Sequence, residues 1–276
     1  MSTALAVYHG AFGRATLYRL NKPMAPHAHR EGHLVFQIDG CNSGMEIGES
    51  CFDLTRDWGI AVNPWQPHSF MPGDPINGSV FLTLYIKPIW FLDVGRSARS
   101  ALRFGRNAVE VTGQVRRLVS LVSTLLMDDE NSNLFEGYLY ELTRTCFEQS
   151  WQWIDEQNGT PGAWPRVSDF RIRNSIRLMK ERIGDERALD TIARDAGLSR
   201  PHFFKLFRQN VGLTPNMYLN TLKMESSIDR LTTTGDSVTE IGLDLGFASQ
   251  ASFTRFFASN VGIPPTDYRR ATLLAS

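Results

Sequence analysis

Ile192-Ala193-Arg194-Asp195-Ala196-Gly197-Leu198 sets over Ile241-Gly242-Leu243-Asp244-Leu245-Gly246-Phe247 at an offset of 49, with five positions equal or similar. One residue later in register, Phe203-Phe204-Lys205-Leu206-Phe207-Arg208-Gln209-Asn210-Val211-Gly212-Leu213-Thr214-Pro215 sets over Phe253-Thr254-Arg255-Phe256-Phe257-Ala258-Ser259-Asn260-Val261-Gly262-Ile263-Pro264-Pro265, and Tyr218 falls over Tyr268. Internal self-similarity of this kind implies two equivalent structural units.

Each copy reads as two short helices meeting at a glycine. In the first, Leu189, Ile192, Ala193 and Ala196 keep helical spacing, and Gly197 stands where the chain needs a positive φ to turn. Ser199 is then expected to supply the N-cap oxygen of a second helix that buries Phe203, Leu206 and Phe207, with Pro201 in its first turn. The second copy repeats the plan with Val238, Ile241, Gly242 and Leu245, a turn at Gly246, then Phe253, Phe256 and Phe257. Small residues at Ala193 and Gly242 allow close approach of the paired helix.

A helix-turn-helix reads DNA when its second helix carries a polar, cationic outer face. Copy one offers Ser199, Arg200, Pro201, His202, Phe204, Lys205 and Arg208. Copy two offers Ser249, Gln250, Ala251, Thr254 and Arg255. Gln, Thr and Arg are residue types that meet base edges and phosphates. A small helical bundle with solvated charges is the plain alternative, and the matched tandem glycines weigh against it.

From about Val167 to Arg270 the chain resembles the C-terminal DNA-binding domain of AraC/XylS-type transcriptional regulators. The resemblance rests on Ala-x-x-x-Gly-Leu-Ser at 193–199, Gly-Phe-x-Ser-Gln at 246–250 and Gly-Ile-Pro-Pro-Thr-Asp-Tyr-Arg at 262–269. It implies seven helices, with a long helix from about Pro215 to Leu231 joining the readers; at about 1.5 Å per residue this spans roughly 25 Å, suited to successive major grooves on one DNA face. The chain departs from the family at Phe257-Ala258-Ser259, where two lysines usually follow the aromatic residue. It departs also at Lys223, usually Arg, and at Pro201 and Phe204, usually polar.

Across 276 residues Lys/Arg and Asp/Glu balance at 29 each. The halves differ: residues 1–164 hold 13 Lys/Arg against 17 Asp/Glu, and residues 165–276 hold 16 against 12. A modestly basic C-terminal half is what DNA contact needs, and overall neutrality argues against a protein that coats nucleic acid generally. Cys41, Cys51 and Cys146 are widely spaced and form no C-x-x-C, which points to reduced cytosolic thiols. The most apolar stretch, Val80 to Val94, is broken by Lys87-Pro88, so neither export nor membrane spanning is indicated and a cytoplasmic location is expected.

From about Val7 to Trp90 the signals are short strands: Leu34–Ile38, Trp58–Val62 and Val80–Ile86, separated by turn-forming Asp39-Gly40, Asn42-Ser43-Gly44, Asn63-Pro64 and Pro72-Gly73-Asp74-Pro75. Strands without intervening helices suggest a β-barrel or sandwich. Four of six histidines crowd this region. His27 and His29, two apart, point the same way from extended chain. With His33 and Gly40 they resemble the first cupin motif, and His68 resembles the histidine of the second, although Trp65 stands where that motif has glycine. Neutral imidazoles at His27, His29, His33 and His68 are candidate ligands for a divalent metal, which the reading does not require. The same four, with Phe36, Trp65 and Tyr85, are candidate walls of an effector pocket, Phe36 fitting plain core better.

Two amphipathic helices follow, one with Val115, Leu118, Val119, Val122, Leu125 and Leu126 on a stripe, the other with Leu134, Tyr138, Leu142 and Cys146, widened by Phe135, Leu139 and Phe147. They suit a cover for the barrel, and the family resemblance implies a dimer interface. The expected order is α+β: a cupin-like effector-sensing barrel over 1–92, a helical dimerisation segment over 93–155, a linker over 156–165, and the tandem helix-turn-helix domain over 166–276. The function implied is a small-molecule-responsive activator binding double-stranded DNA and RNA polymerase as a homodimer, not an enzyme. The competing readings are a metal-dependent cupin enzyme tethered to DNA and a regulator gated by a partner protein with a vestigial barrel.

Overall fold

The computed structural model describes residues 2–90, 103–128, 133–151, 167–185 and 188–273. The chain divides into two compact units, 1–160 with 258–276, and 161–257. The expected linker at 156–165 lies outside the described residues, with the division between units falling inside it.

The first unit is built from β1 (Thr3–Gly10), β2 (Gly13–Leu20), β3 (Met24–His27), β4 (Gly32–Asp39), β5 (Ser43–Ile47), β6 (Ser50–Leu54), β7 (Trp58–Val62), β8 (His68–Met71), β9 (Ser79–Ile86) and β10 (Ala108–Glu110). They form a six-stranded antiparallel sheet, β1-β2-β9-β4-β7-β10, and a four-stranded one, β3-β8-β5-β6. All eight residues of β9 are buried, because β2 and β4 flank it and both faces are covered. Its side chains alternate. Val80, Leu82, Leu84 and Ile86 join the hydrophobic core with Leu34, Phe36 and the helices that follow, while Phe81, Thr83 and Tyr85 face an internal cavity with His33 and Val35 of β4.

Those helices are α1 (Gly113–Met127) and α2 (Asn133–Trp151). Thr112 caps α1 by accepting from the backbone N–H of Val115. Val115, Leu118, Val119, Val122 and Leu126 of α1 and Phe135, Leu139, Leu142, Cys146 and Phe147 of α2 are all in the sheet's core cluster. Two expectations change here. The segment 93–155 is not helical throughout, since β10 pairs with β7 and completes the larger sheet. Leu134 is 63% exposed, because the buried face of α2 is centred on Phe135, Leu139 and Leu142 one position further round.

The second unit contains α3 (Phe170–Glu181), α4 (Ala188–Asp195), α5 (Arg200–Val211), α6 (Pro215–Thr233), α7 (Val238–Asp244) and most of α8 (Gln250–Val261). The joining helix α6 runs two residues past the expected end, reaching about 28 Å at about 1.5 Å per residue. Thr214 caps it through the N–H of Met217, and Ser237 with Glu240 forms a reciprocal capping box on α7. The last helix, α9 (Pro265–Leu273), departs from the expected domain limits of 166–276, since residues 258–276 group with the β domain. The reason is packing: Tyr268 is fully buried in that unit, and its hydroxyl meets His9 Nε2 at 3.0 Å.

Candidate functional site

The two copies take the same backbone path. Gly197 and Gly246, at the turns, have φ of +67° and +77°; Gly212 and Gly262, after the second helices, have +79° and +87°. These are left-handed conformations that glycine adopts without strain. Phe203, Phe207, Phe253 and Phe257 have no exposure and lock each second helix to the body of its unit. Truncating any one to alanine costs about 3–5 kcal/mol by cavity formation. Gly242 lies against Phe253: a Cβ there would sit 2.8 Å from Phe253 Cβ, which is the close approach its small size was expected to allow.

With the aromatic face inward, α5 leaves Ser199, Arg200, Pro201, His202, Lys205 and Arg208 exposed and Phe204 half-buried. On the second reader Ser249, Gln250, Ala251 and Arg255 are exposed and Thr254 is half-buried. The expected polar faces therefore reach solvent. Their chemistry differs from expectation in three ways. Ser199 occupies the N-cap position of α5 but makes no capping hydrogen bond; the following turn begins Arg200-Pro201, and proline lacks one of the N–H groups a cap would satisfy. Arg200 forms an ion pair with Asp190 of α4 and stacks over Phe204, so part of its charge is balanced within the protein. Gln250 accepts a hydrogen bond from the Thr239 hydroxyl at 2.7 Å, which orients its amide. Arg230 binds both Asp236 and Asp244, holding the end of α6 to α7, an arrangement that sequence spacing did not suggest.

The second assembly is the histidine cluster of the β domain. His27 and His68 are register partners across β3 and β8. His29 follows on the loop, held by its carbonyl accepting the Trp65 N–H at 2.6 Å, and His33 comes from β4. Ring centroids of His27 and His68 are 4.3 Å apart, those of His29 and His33 4.8 Å, and those of His33 and His68 4.7 Å. Nδ1 of His27 lies 2.7 Å from the Ala25 carbonyl and Nδ1 of His68 2.8 Å from that of Gln66. A carbonyl only accepts, so both Nδ1 atoms carry the proton and both Nε2 atoms keep a free lone pair. Nδ1 of His29 and of His33 are buried without a partner, each costing about 1–3 kcal/mol.

Burial, above all, holds the His27 imidazole down to about 4 and those of His29, His33 and His68 well below their ordinary value, with the Arg14 charge and neighbouring imidazoles adding to it. All four are neutral near pH 7. The Arg14 guanidinium lies 3.8 Å from the Tyr85 ring centroid.

The cavity at the cluster has a volume of about 20 Å³ and is lined by His27, His29, His33, His68 and Tyr85, among others. Phe36 and Trp65 do not line it. Phe36 is three residues from His33, so strand alternation turns it to the opposite face, into the core under α1. Trp65 adopts φ +59°, a left-handed conformation, and its backbone N–H donates to the His29 carbonyl. A larger hollow of about 490 Å³ lies between the sheet and α1, with walls including Leu17, Phe36, Val119 and Met127. The buried Gln37 Oε1 and Ser123 Oγ, on residues that also line it, have no hydrogen-bond partner.

A profile described as "Helix-turn-helix domain" matches residues 192–271. The chain is 21% identical over 250 residues to "Probable transcriptional regulator LumQ" of Photobacterium leiognathi, covering 91% of this chain and 94% of that one. It is 29% identical over 115 residues to "HTH-type transcriptional regulator MtrA" of Neisseria gonorrhoeae, spanning 42% of this chain and 37% of the relative. Among solved structures, unsaturated fatty acid bound wild-type ToxT from Vibrio cholerae matches with a TM-score of 0.58 at 14% identity, over 95% of this chain and 96% of that one. This last likeness is one of fold, and it takes in the β domain as well as the helices.

Proposed function

We propose that the chain is an AraC/XylS-type transcriptional regulator, one that binds a specific DNA site through both readers and answers to a small molecule taken up by its β domain. The observation that carries the DNA half is the repeated backbone path, with two exposed polar faces held on equivalent aromatic cores. We assign Lys205 and Arg208 to phosphates, and Gln250, Thr254 and Arg255 to base edges and the adjoining backbone; their exposure supports the assignment. Ligand gating needs unequal affinity for two arrangements of the protein. Size divides the two hollows: organic ligands occupy about 300–1,000 Å³, a range met by the hollow beside α1 and not by the histidine cavity.

The output we assign is activation through RNA polymerase, by a homodimer joined through the outer faces of α1 and α2. Met127, Leu134 and Tyr140 remain exposed there after the inner faces have covered the sheet. Footprinting on the DNA upstream of its own gene tests the reading. Two protected segments about one helical turn apart, close to 10 base pairs, are expected for each chain bound. A single protected segment, or uniform protection without sequence preference, contradicts it.

A further inference from the structure

We propose that His27, His29 and His68, backed by His33, form a binding site for one divalent transition-metal ion of borderline softness, Zn(II) being the type. The site stands on the imidazoles alone and does not depend on the DNA-binding reading.

Four observations converge. The ligand nitrogens of His27, His29 and His68 all lie within 4.8 Å of one another. Two nitrogens bound to one ion at about 2.1 Å each are at most about 4.2 Å apart, so slight ring movements close the set. Nδ1 of His27 and Nδ1 of His68 donate to backbone carbonyls, the outer contact that fixes the tautomer and aims Nε2 in metal-ligating histidines. His29 and His33 bring buried Nδ1 atoms that no protein group satisfies. The cavity of about 20 Å³ admits one water or ion; a water needs about 10–15 Å³.

The donor set selects the ion. Three imidazoles without a carboxylate suit Zn(II), Co(II), Ni(II) or Cu(II) and not Ca(II) or Mg(II), which take oxygen ligands.

The full chain, stripped with a chelator and freed of it, is titrated with Co(II) and, separately, loaded with Zn(II) and passed through gel filtration for metal analysis. One ion per chain, with the visible absorption of four-coordinate Co(II), is expected. His29→Ala, at a half-buried loop position, lowers the affinity by roughly 100-fold or more while far-UV circular dichroism is unchanged. Cys41→Ser/Cys51→Ser retains the ion, separating this site from the exposed thiols. In the unaltered protein, Zn(II) moves the imidazole NMR signals of His27, His29 and His68 and leaves that of His202 in place, a readout that does not depend on how a variant folds. Failure of the wild-type chain to retain an ion, uptake unchanged in His29→Ala, or NMR shifts confined to His9 and His202 would each overturn the proposal.

Discussion

Gly197 and Gly246 occupy equivalent turns with nearly equal φ, yet alanine should not cost the same at both. Around Gly197 a Cβ would have open space, with no atom within 4 Å, so Gly197→Ala carries only the left-handed backbone penalty, about 1 kcal/mol. At Gly246 a Cβ would lie 2.3 Å from the Gly184 carbonyl oxygen and 2.9 Å from its carbon, and that backbone has no side-chain freedom with which to yield. Overpacking of this kind adds about 1–3 kcal/mol, for a total near 2–4 kcal/mol. Since 1 kcal/mol moves the melting point of a domain of this size by about 4–8 °C, Gly197→Ala should lower the helical unit's transition by about 5 °C and Gly246→Ala by about 10 °C or more. Far-UV circular dichroism of the full chain reads this transition. Tryptophan fluorescence reads mainly the other region, because five of the six tryptophans, Trp58 to Trp153, lie within 1–160 and Trp164 alone falls in 161–257, and it should move far less. Equal losses for the two substitutions, or no loss at Gly246, would refute the assignment of that turn.

Other outcomes follow from the same geometry. Arg255→Ala should weaken specific DNA binding by about 1–3 kcal/mol, whereas Lys205→Ala should weaken binding to every sequence alike and flatten the salt dependence by about one unit, both measured by fluorescence anisotropy. Asp190→Asn releases Arg200 from its ion pair and should tighten DNA binding while steepening the salt slope by up to about one unit; weaker binding would show that the pair positions the helix instead. In chelator, the β domain should lose stability on acidification. The folded state keeps His27 neutral down to about pH 4, while the unfolded chain takes up that proton below its ordinary value of 6.5. The contribution is thus complete above about pH 6.5 and falls towards pH 4, by about 3 kcal/mol for this residue. Urea unfolding followed by tryptophan fluorescence at pH 7.5 and 5 measures it, and equal midpoints would contradict the burial argument.

The helical half was legible because its information is local. Glycines that must turn, aromatic residues at helical spacing and proline in first turns each act within a few residues, and the repeat made every signal count twice. In the β domain the three named strands fall within β4, β7 and β9, but β10 is three residues long and owes its existence to pairing with β7, which no local pattern announces. The opposite facing of His33 and Phe36 was available in strand parity, and grouping them in one pocket overlooked it. Trp65 could not be read as a backbone device, since its positive φ is imposed by the loop that also holds His29. The ion pair of Arg200 with Asp190 and the burial of Tyr268 beside His9 join residues distant in sequence, and only the folded chain brings them together.

Two matched readers imply sequence-specific DNA binding. Its most direct test is the affinity of the full chain, at fixed salt, for DNA from upstream of its own gene against a scrambled competitor of equal length and composition. Preferential, salt-dependent binding is expected, lost from the specific site when Lys205 and Arg255 are both replaced by alanine. Equal affinity for the two DNAs, with candidate effectors and Zn(II) present as well as without them, would contradict it.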